Sequence, residues 1–505
     1  MSGVAANGHG GRAASGLLAA GALLAGLLAC AAVARAGDAL PEPARARWTW
    51  PGHANAPART VEVVAEELPM AAADGGIEAT MFSTAYLAAP DDAGAGDAGR
   101  ARPVAFFWNG GPGSAAVGLH ATFAPRTPGA APERAEARGS IDNPDSPIDI
   151  ADLVFVDPVG TGYSRVLREG AGAGYWGVAQ DAEAAARFVA AWLRRHGRER
   201  DPVLLVGQSY AGIRVPLAAQ RLLEAMPDLD LRGLLLVSPS IGGPRADAAD
   251  AAAQARRDHA RCRARLAVYA QTAAFHGIGA QAGRAPAEIA ADVEAFLAAR
   301  ERFDADDHAR IAADIGLPRE QVAEAGGCVA PLAFQTGLLA ARGERIGTAD
   351  TRLHAPLALT RTRQPPYDDP ATSPYTLGYD LDAAWRHYLR HEIGYRPAGE
   401  GDYVRLSLAA HGAWDWTWPA WAGASTATVL DGLLARAPGL RVRVAVGYYD
   451  LSVPYLEPVR AFEAAGLPGP RFAIVRYPAG HAVHADREAR PRSFADLRAL
   501  IGGAP

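Results

Sequence analysis

Short apolar runs recur along the chain, each ending at a glycine, aspartate, serine or asparagine: "PVAFFW" (103–108), "DLVFVD" (152–157), "PVLLVG" (202–207), "GLLLVS" (233–238), "RVRVAVG" (441–447) and "RFAIVRY" (471–477). Short, apolar-rich runs of this kind predict buried strands in a mostly parallel sheet. Between the second and third runs, "DAEAAARFVAAWLRRHG" (181–197) repeats its apolar residues at helical spacing, and "VPLAAQRLLEAM" (215–226) does so after the third. Strand, helix, strand, helix predicts a doubly wound α/β sheet. Upstream, "RTVEVVAEELPMAAADGGIEATMFSTAYLAA" carries β-branched stretches around a turn at Asp74–Gly76 and predicts an antiparallel meander.

From about 243 to 345 the pattern changes to Ala, Arg, Asp and Glu at helical period without a strand-like run, which predicts a helical insertion over the sheet. The resulting division is a leader at 1–36, the first part of an α/β core at 37–242, a mainly helical cap at 243–400, and the second part of the core at 401–505. The leader reading comes from an uncharged apolar run, Gly16–Ala34, behind a short segment with one cation, Arg12. Ala34 and Ala36 suit cleavage before Gly37, so export to a periplasmic or extracellular space is expected. Two alternatives stand: "LLAC" (27–30) also fits a lipoprotein box that would anchor the chain through Cys30, and the run is near the roughly 20 residues that a retained span needs.

Composition narrows the partners. A net charge of −5 lacks the basic excess that nucleic acid or an anionic membrane surface attracts. With Cys30 in the leader, Cys262 and Cys328 remain, either as one disulfide in an oxidising compartment or as two buried thiols. Neither has metal-ligand spacing, and no metal or other cofactor is expected.

The chemistry concentrates at the strand ends. "GQSYA" (207–211) approximates a G-x-S-x-G elbow, in which a tight strand-to-helix turn flanked by small residues presents Ser209. A serine hydroxyl needs a histidine base and an acid to orient it. "VAVGYYDLSVP" puts Asp450 beyond one late strand and "IVRYPAGHAVHAD" puts His481 beyond the next, in the chain order that the elbow architecture uses. His484 is a rival base, read as a surface or supporting residue; Asp486 and Asp431 are rival acids, either of which would otherwise cap a helix. One oxyanion donor accompanies the elbow, the N–H of Tyr210; the other is expected from the glycine loop "FFWNGGPGSAA" (106–116). The dense "WDWTWPAW" (414–421) is expected to be packing rather than a substrate wall.

Taken together, "WNGGPGS" (108–114), "FVDPVGTGYS" (155–164), "GQSYAG" (207–212), "GYYDLSVP" (447–454) and "AGHAVHAD" (479–486) resemble the serine carboxypeptidase family, particularly its bacterial branch. The resemblance implies an α/β-hydrolase fold with a helical insertion and release of single residues from peptide C-termini. It implies Ser209 as nucleophile, Asp450 as acid, His481 as base, and an oxyanion hole from the N–H groups of Gly111 and Tyr210. It assigns capture of the substrate's terminal carboxylate to Asn109 and to the residue before the nucleophile. In better-known members that residue is a glutamate paired with a second one after the glycine loop; here it is Gln208, and "GLHATFAP" offers no acid. His484 and Glu488 stand where prolines are common. A peptide with a free C-terminus is therefore the expected partner. An esterase or acyltransferase with the same three residues, and a non-catalytic binding or protective protein, are the competing expectations.

Overall fold

A computed structural model describes residues 40–53, 56–89, 102–128, 139–244, 251–359, 369–371, 381–398 and 402–502. The leader and Cys30 lie outside the described residues. Among those described, no helix is long and apolar enough to cross a membrane.

The centre is one nine-stranded sheet: β1 (Ala44–Trp50), β2 (Arg59–Ala71), β3 (Ile77–Ala88), β4 (Val104–Trp108), β5 (Asp152–Val156), β6 (Val203–Gln208), β7 (Leu231–Val237), β8 (Arg441–Gly447) and β9 (Phe472–Tyr477). Their spatial order is β1-β2-β3-β5-β4-β6-β7-β8-β9. The first three strands form the expected meander, and β3 joins β5 antiparallel, pairing Ser83 with Val156 and Tyr86 with Leu153. From β5 onward every pairing is parallel.

The unbroken apolar runs have a simple cause, since both faces are covered. Phe106, Val154, Leu205, Leu236 and Val444 point to one side, under the helices α1 (Val178–His196) and α2 (Ala211–Ala225). Phe107, Phe155, Leu204, Val206 and Ala445 point to the other, under a short helix, Val117–Phe123, and α7 (Arg490–Gly502). Alternate residues of a strand face opposite ways, so two buried faces require apolar residues at every position.

Between β7 and β8 lie the insertion helices α3 (Ala251–Phe275), α4 (Pro286–Ala298) and α5 (Ala305–Ile315), followed by a ribbon pairing Glu344–Ile346 with His354–Pro356. The ribbon is the exception to the expectation of a strand-free insertion. α6 (Thr426–Arg436) returns the chain to the core; Arg436 Nη2 donates to the Leu223 carbonyl of α2. A disulfide joins Cys262 of α3 to Cys328, closing a sequence separation of 66.

Candidate active site

β6 runs between β4 and β7 and ends at Gln208. Ser209 follows at φ 60°, a conformation costly for a residue with a Cβ. It is held by its surroundings: its N–H donates to the Val237 carbonyl at 3.0 Å, and its carbonyl accepts from Gly212 and Ser240 at 2.8 and 3.0 Å. The small neighbours are sterically required. A Cβ on Gly207 would lie 2.6 Å from the Ala211 oxygen, and one on Gly212 would lie 2.4 Å from Pro239 Cβ.

Beyond β8 and β9, two loops bring Asp450 and His481 together. Asp450 is fully buried; its Oδ1 accepts from the Val453 N–H at 3.0 Å and its Oδ2 lies 2.7 Å from His481 Nδ1. An ionised carboxylate can only accept there, so Nδ1 carries the proton and Nε2 is left with its lone pair free to accept one. The loops touch because Gly447 lacks a side chain: a Cβ there would lie 2.3 Å from the carbonyls of both Ala479 and Gly480. Burial opposes charging the His481 ring, but the charge and hydrogen bond of Asp450, with a further contribution from Asp369, outweigh it and hold the imidazolium above the ordinary histidine range.

The glycine loop after β4 approaches the elbow closely. A Cβ on Gly110 would lie 2.5 Å from the Tyr210 nitrogen, and Gly111 and Gly113 adopt φ values of 100° and 89°, open to glycine alone at low cost. Asn109 Nδ2 donates to Gln208 Oε1 at 2.7 Å, while Asn109 Oδ1 accepts from the Leu119 N–H and Gln208 Nε2 donates to the His481 carbonyl. The two backbone partners fix both amide orientations without ambiguity. Each NH2 group has one hydrogen committed and one uncommitted, so the pair retains two neutral donors.

Three supporting features were missed in the sequence. Arg214, 1% exposed, pairs with buried Asp181 at 2.7 Å and donates to the Asn109 carbonyl at 2.7 Å, fixing the glycine loop from beneath; a lone arginine in the apolar start of α2 was the available signal. Asp157, at the end of β5, accepts from the Ala116 N–H at 2.8 Å and the Tyr403 hydroxyl at 3.2 Å. Burial pushes its carboxyl up to about 7 despite those bonds. Asp369 is the third.

The rivals resolve differently from their expected places. His484 is no surface residue: it is 2% exposed, packed between Phe123 and Phe494, and burial lowers it to about 3. Asp486 caps the approach to α7, accepting from the N–H groups of Glu488 and Ala489. Asp431 lies inside α6 and caps nothing. In the tryptophan run, Trp414 is buried 5.2 Å from the Tyr210 ring, as packing. Trp416 and Trp418 also line an open hollow of about 510 Å³ with Pro244 and Asp415.

Residues 95–260 match the family model described as serine carboxypeptidase. The carboxypeptidase Kex1(delta)p of Saccharomyces cerevisiae, described as prohormone-processing, superposes with a TM-score of 0.54 at 13% identity, over 87% of this chain and 91% of that one. Rv0554 of Mycobacterium tuberculosis gives 0.35 at 12% identity, over 87% and 99%, and homoserine O-acetyltransferase of Staphylococcus aureus gives 0.34 at 11%, over 86% and 95%. The first superposition speaks to fold; the other two are too loose to carry an argument. The chain therefore has an α/β-hydrolase fold, and its residues 95–260 match the serine carboxypeptidase family model.

Proposed function

We propose that the protein is a serine carboxypeptidase that cleaves the last peptide bond of substrates with a free C-terminus. In this reading Ser209 Oγ attacks the scissile carbonyl carbon as His481 Nε2 takes its proton, and Asp450 steadies the resulting imidazolium. The N–H groups of Tyr210 and Gly111 meet the oxyanion. His481 then returns the proton to the departing amine, and a water deprotonated by the same nitrogen attacks the acyl-enzyme and restores Ser209. The observation that carries the substrate class is the Asn109–Gln208 pair, whose two spare N–H donors suit the two oxygens of a terminal carboxylate. A simple ester presents no such group. The Cys262–Cys328 disulfide supports passage through an oxidising compartment, hence export.

The test combines a fluorophosphonate serine probe with paired peptides. Labelling in the wild type and none in Ser209→Ala is expected, with turnover of the free-ended peptide and loss of turnover when its C-terminus is amidated. Equal turnover of both peptides would leave an esterase-like hydrolase; no labelling would leave a binding protein.

A further inference from the structure

One five-residue segment of the insertion, Thr348–Arg352, bonds to both loops that carry the acid and the base. On the acid side, the Leu451 N–H donates to the Thr348 carbonyl at 3.0 Å, and the N–H and hydroxyl of Thr351 donate to the Tyr449 carbonyl at 3.0 and 3.1 Å. These bonds bracket Asp450. On the base side, the His481 N–H donates to the Ala349 carbonyl at 2.6 Å, and Arg352 Nη1 donates to the Pro478 carbonyl at 2.8 Å. The fit is tight: a Cβ on Gly480 would lie 2.6 Å from the Ala349 oxygen.

The segment is itself shaped by Asp369. Its two carboxylate oxygens accept the N–H groups of Thr348, Ala349 and Ala371 at 2.8 to 3.0 Å, and the residue is 9% exposed. The Ala349 peptide thus has the Asp369 carboxylate on its N–H, while its carbonyl neighbour holds the His481 backbone. The acidic groups that favour the charged His481 ring are Asp450 from the loop after β8 and, more weakly, Asp369 from the insertion. Nearby Arg352 is engaged by both Asp350 and Asp486. Gln208, from the elbow, is neutral.

We propose that Asp369 is a positioning residue of the catalytic centre, seating the His481 loop through the Thr348–Ala349 turn and adding a second carboxyl group, after Asp450, to the surroundings of its imidazole. The idea rests on His481 being the base, as proposed above. A charge that stabilises imidazolium raises the pH at which the base becomes available. Removing it should move the acid limb of reactivity to lower pH, whereas loosening the turn should only lower the plateau.

The experiment measures the second-order rate of fluorophosphonate labelling against pH, which requires no peptide substrate. The variants are Asp369→Asn and Asp369→Ser, both neutral, Asp369→Glu, which keeps the charge, and His481→Ala. The neutral variants should retain a larger fraction of their own plateau on the acid side than the wild type does, while Asp369→Glu keeps the wild-type midpoint with a lower plateau. If no midpoint moves, or all three move alike, the charge has no role and the inference is overturned. If His481→Ala labels as fast as the wild type, the underlying assignment of the base fails instead. Should one neutral variant not fold, the other carries the comparison.

Discussion

Replacing Gln208 by glutamate changes one NH2 group to oxygen at the point where three parts of the site meet. The Oε1 position is indifferent, because Asn109 Nδ2 donates to it in either case. The other oxygen would face the His481 carbonyl across 2.9 Å, acceptor to acceptor, at a position only 6% exposed. A proton resolves the conflict, so the new carboxyl should titrate above the ordinary glutamate range. Once ionised, it loses one hydrogen bond, leaves the carbonyl unpaired and opposes an arriving carboxylate. An unsatisfied buried polar group costs about 1–3 kcal/mol, which is about 5- to 150-fold in KM. The assay is KM for a free-ended peptide from acid to alkaline pH, with probe labelling of Ser209 to confirm an intact elbow. In Gln208→Glu, KM relative to the wild type should rise with pH by that factor, because the wild-type amide has no proton to lose and contributes no pH dependence of its own. Parallel KM profiles for the two enzymes would refute the reasoning.

Three further outcomes are expected. Asp157 is protonated more readily in the folded chain, at about 7, than in the unfolded one, so its stabilising effect is full below about pH 4 and is lost as pH rises through 7. The shift corresponds to about 4 kcal/mol, and urea midpoints taken at acid and alkaline pH should converge in Asp157→Asn if it is the cause. Gly110→Ala drives a methyl group to 2.5 Å from the Tyr210 nitrogen and should lower kcat by about 10²- to 10³-fold with little change in KM; an unaltered kcat would remove the Tyr210 N–H from the oxyanion hole. Breaking the Cys262–Cys328 link frees a loop with a separation of 66 residues and should cost about 4 kcal/mol by loop entropy, read as a lower urea midpoint under reductant that Cys262→Ala, Cys328→Ala reproduces.

The buried parallel strands were legible to within a residue or two, because a strand covered on both faces has no other way to be written than as a short apolar run. β1 was not: its sequence "ARARWTW" alternates, and its burial alternates with it, but as an edge strand it lies in a proline- and alanine-rich lead that hides the period. The turn at Ser209 and the meeting of Asp450 with His481 were readable because each of the three follows a strand end, where sequence position and spatial position coincide. Asp157 stood in plain sight inside a quoted motif; nothing in its neighbours announced that Tyr403 would come from far downstream to meet it. Asp369 gave no signal at all. Its partners are backbone N–H groups, which every residue but proline has, and its relation to His481 depends on how the insertion folds back over the sheet.

The placement of charge around His481 leads to a last expectation. In the free site the ring is bonded to the Asp450 carboxylate, while the surface that would receive the substrate's terminus is made of neutral amides. A bound free-ended peptide therefore brings its own negative charge to Gln208, whose Nε2 is already bonded to the His481 carbonyl. Neutral donors can bind that charge but cannot cancel it, so it should stabilise the imidazolium further. Because kcat/KM follows the free enzyme and kcat the substrate complex, the acid limb of kcat should lie at higher pH than that of kcat/KM. An amidated or esterified substrate that is turned over at all carries no such charge, and its two limbs should coincide. A kcat limb at or below the kcat/KM limb for the free-ended peptide would mean that the carboxylate binds elsewhere, away from Asn109 and Gln208.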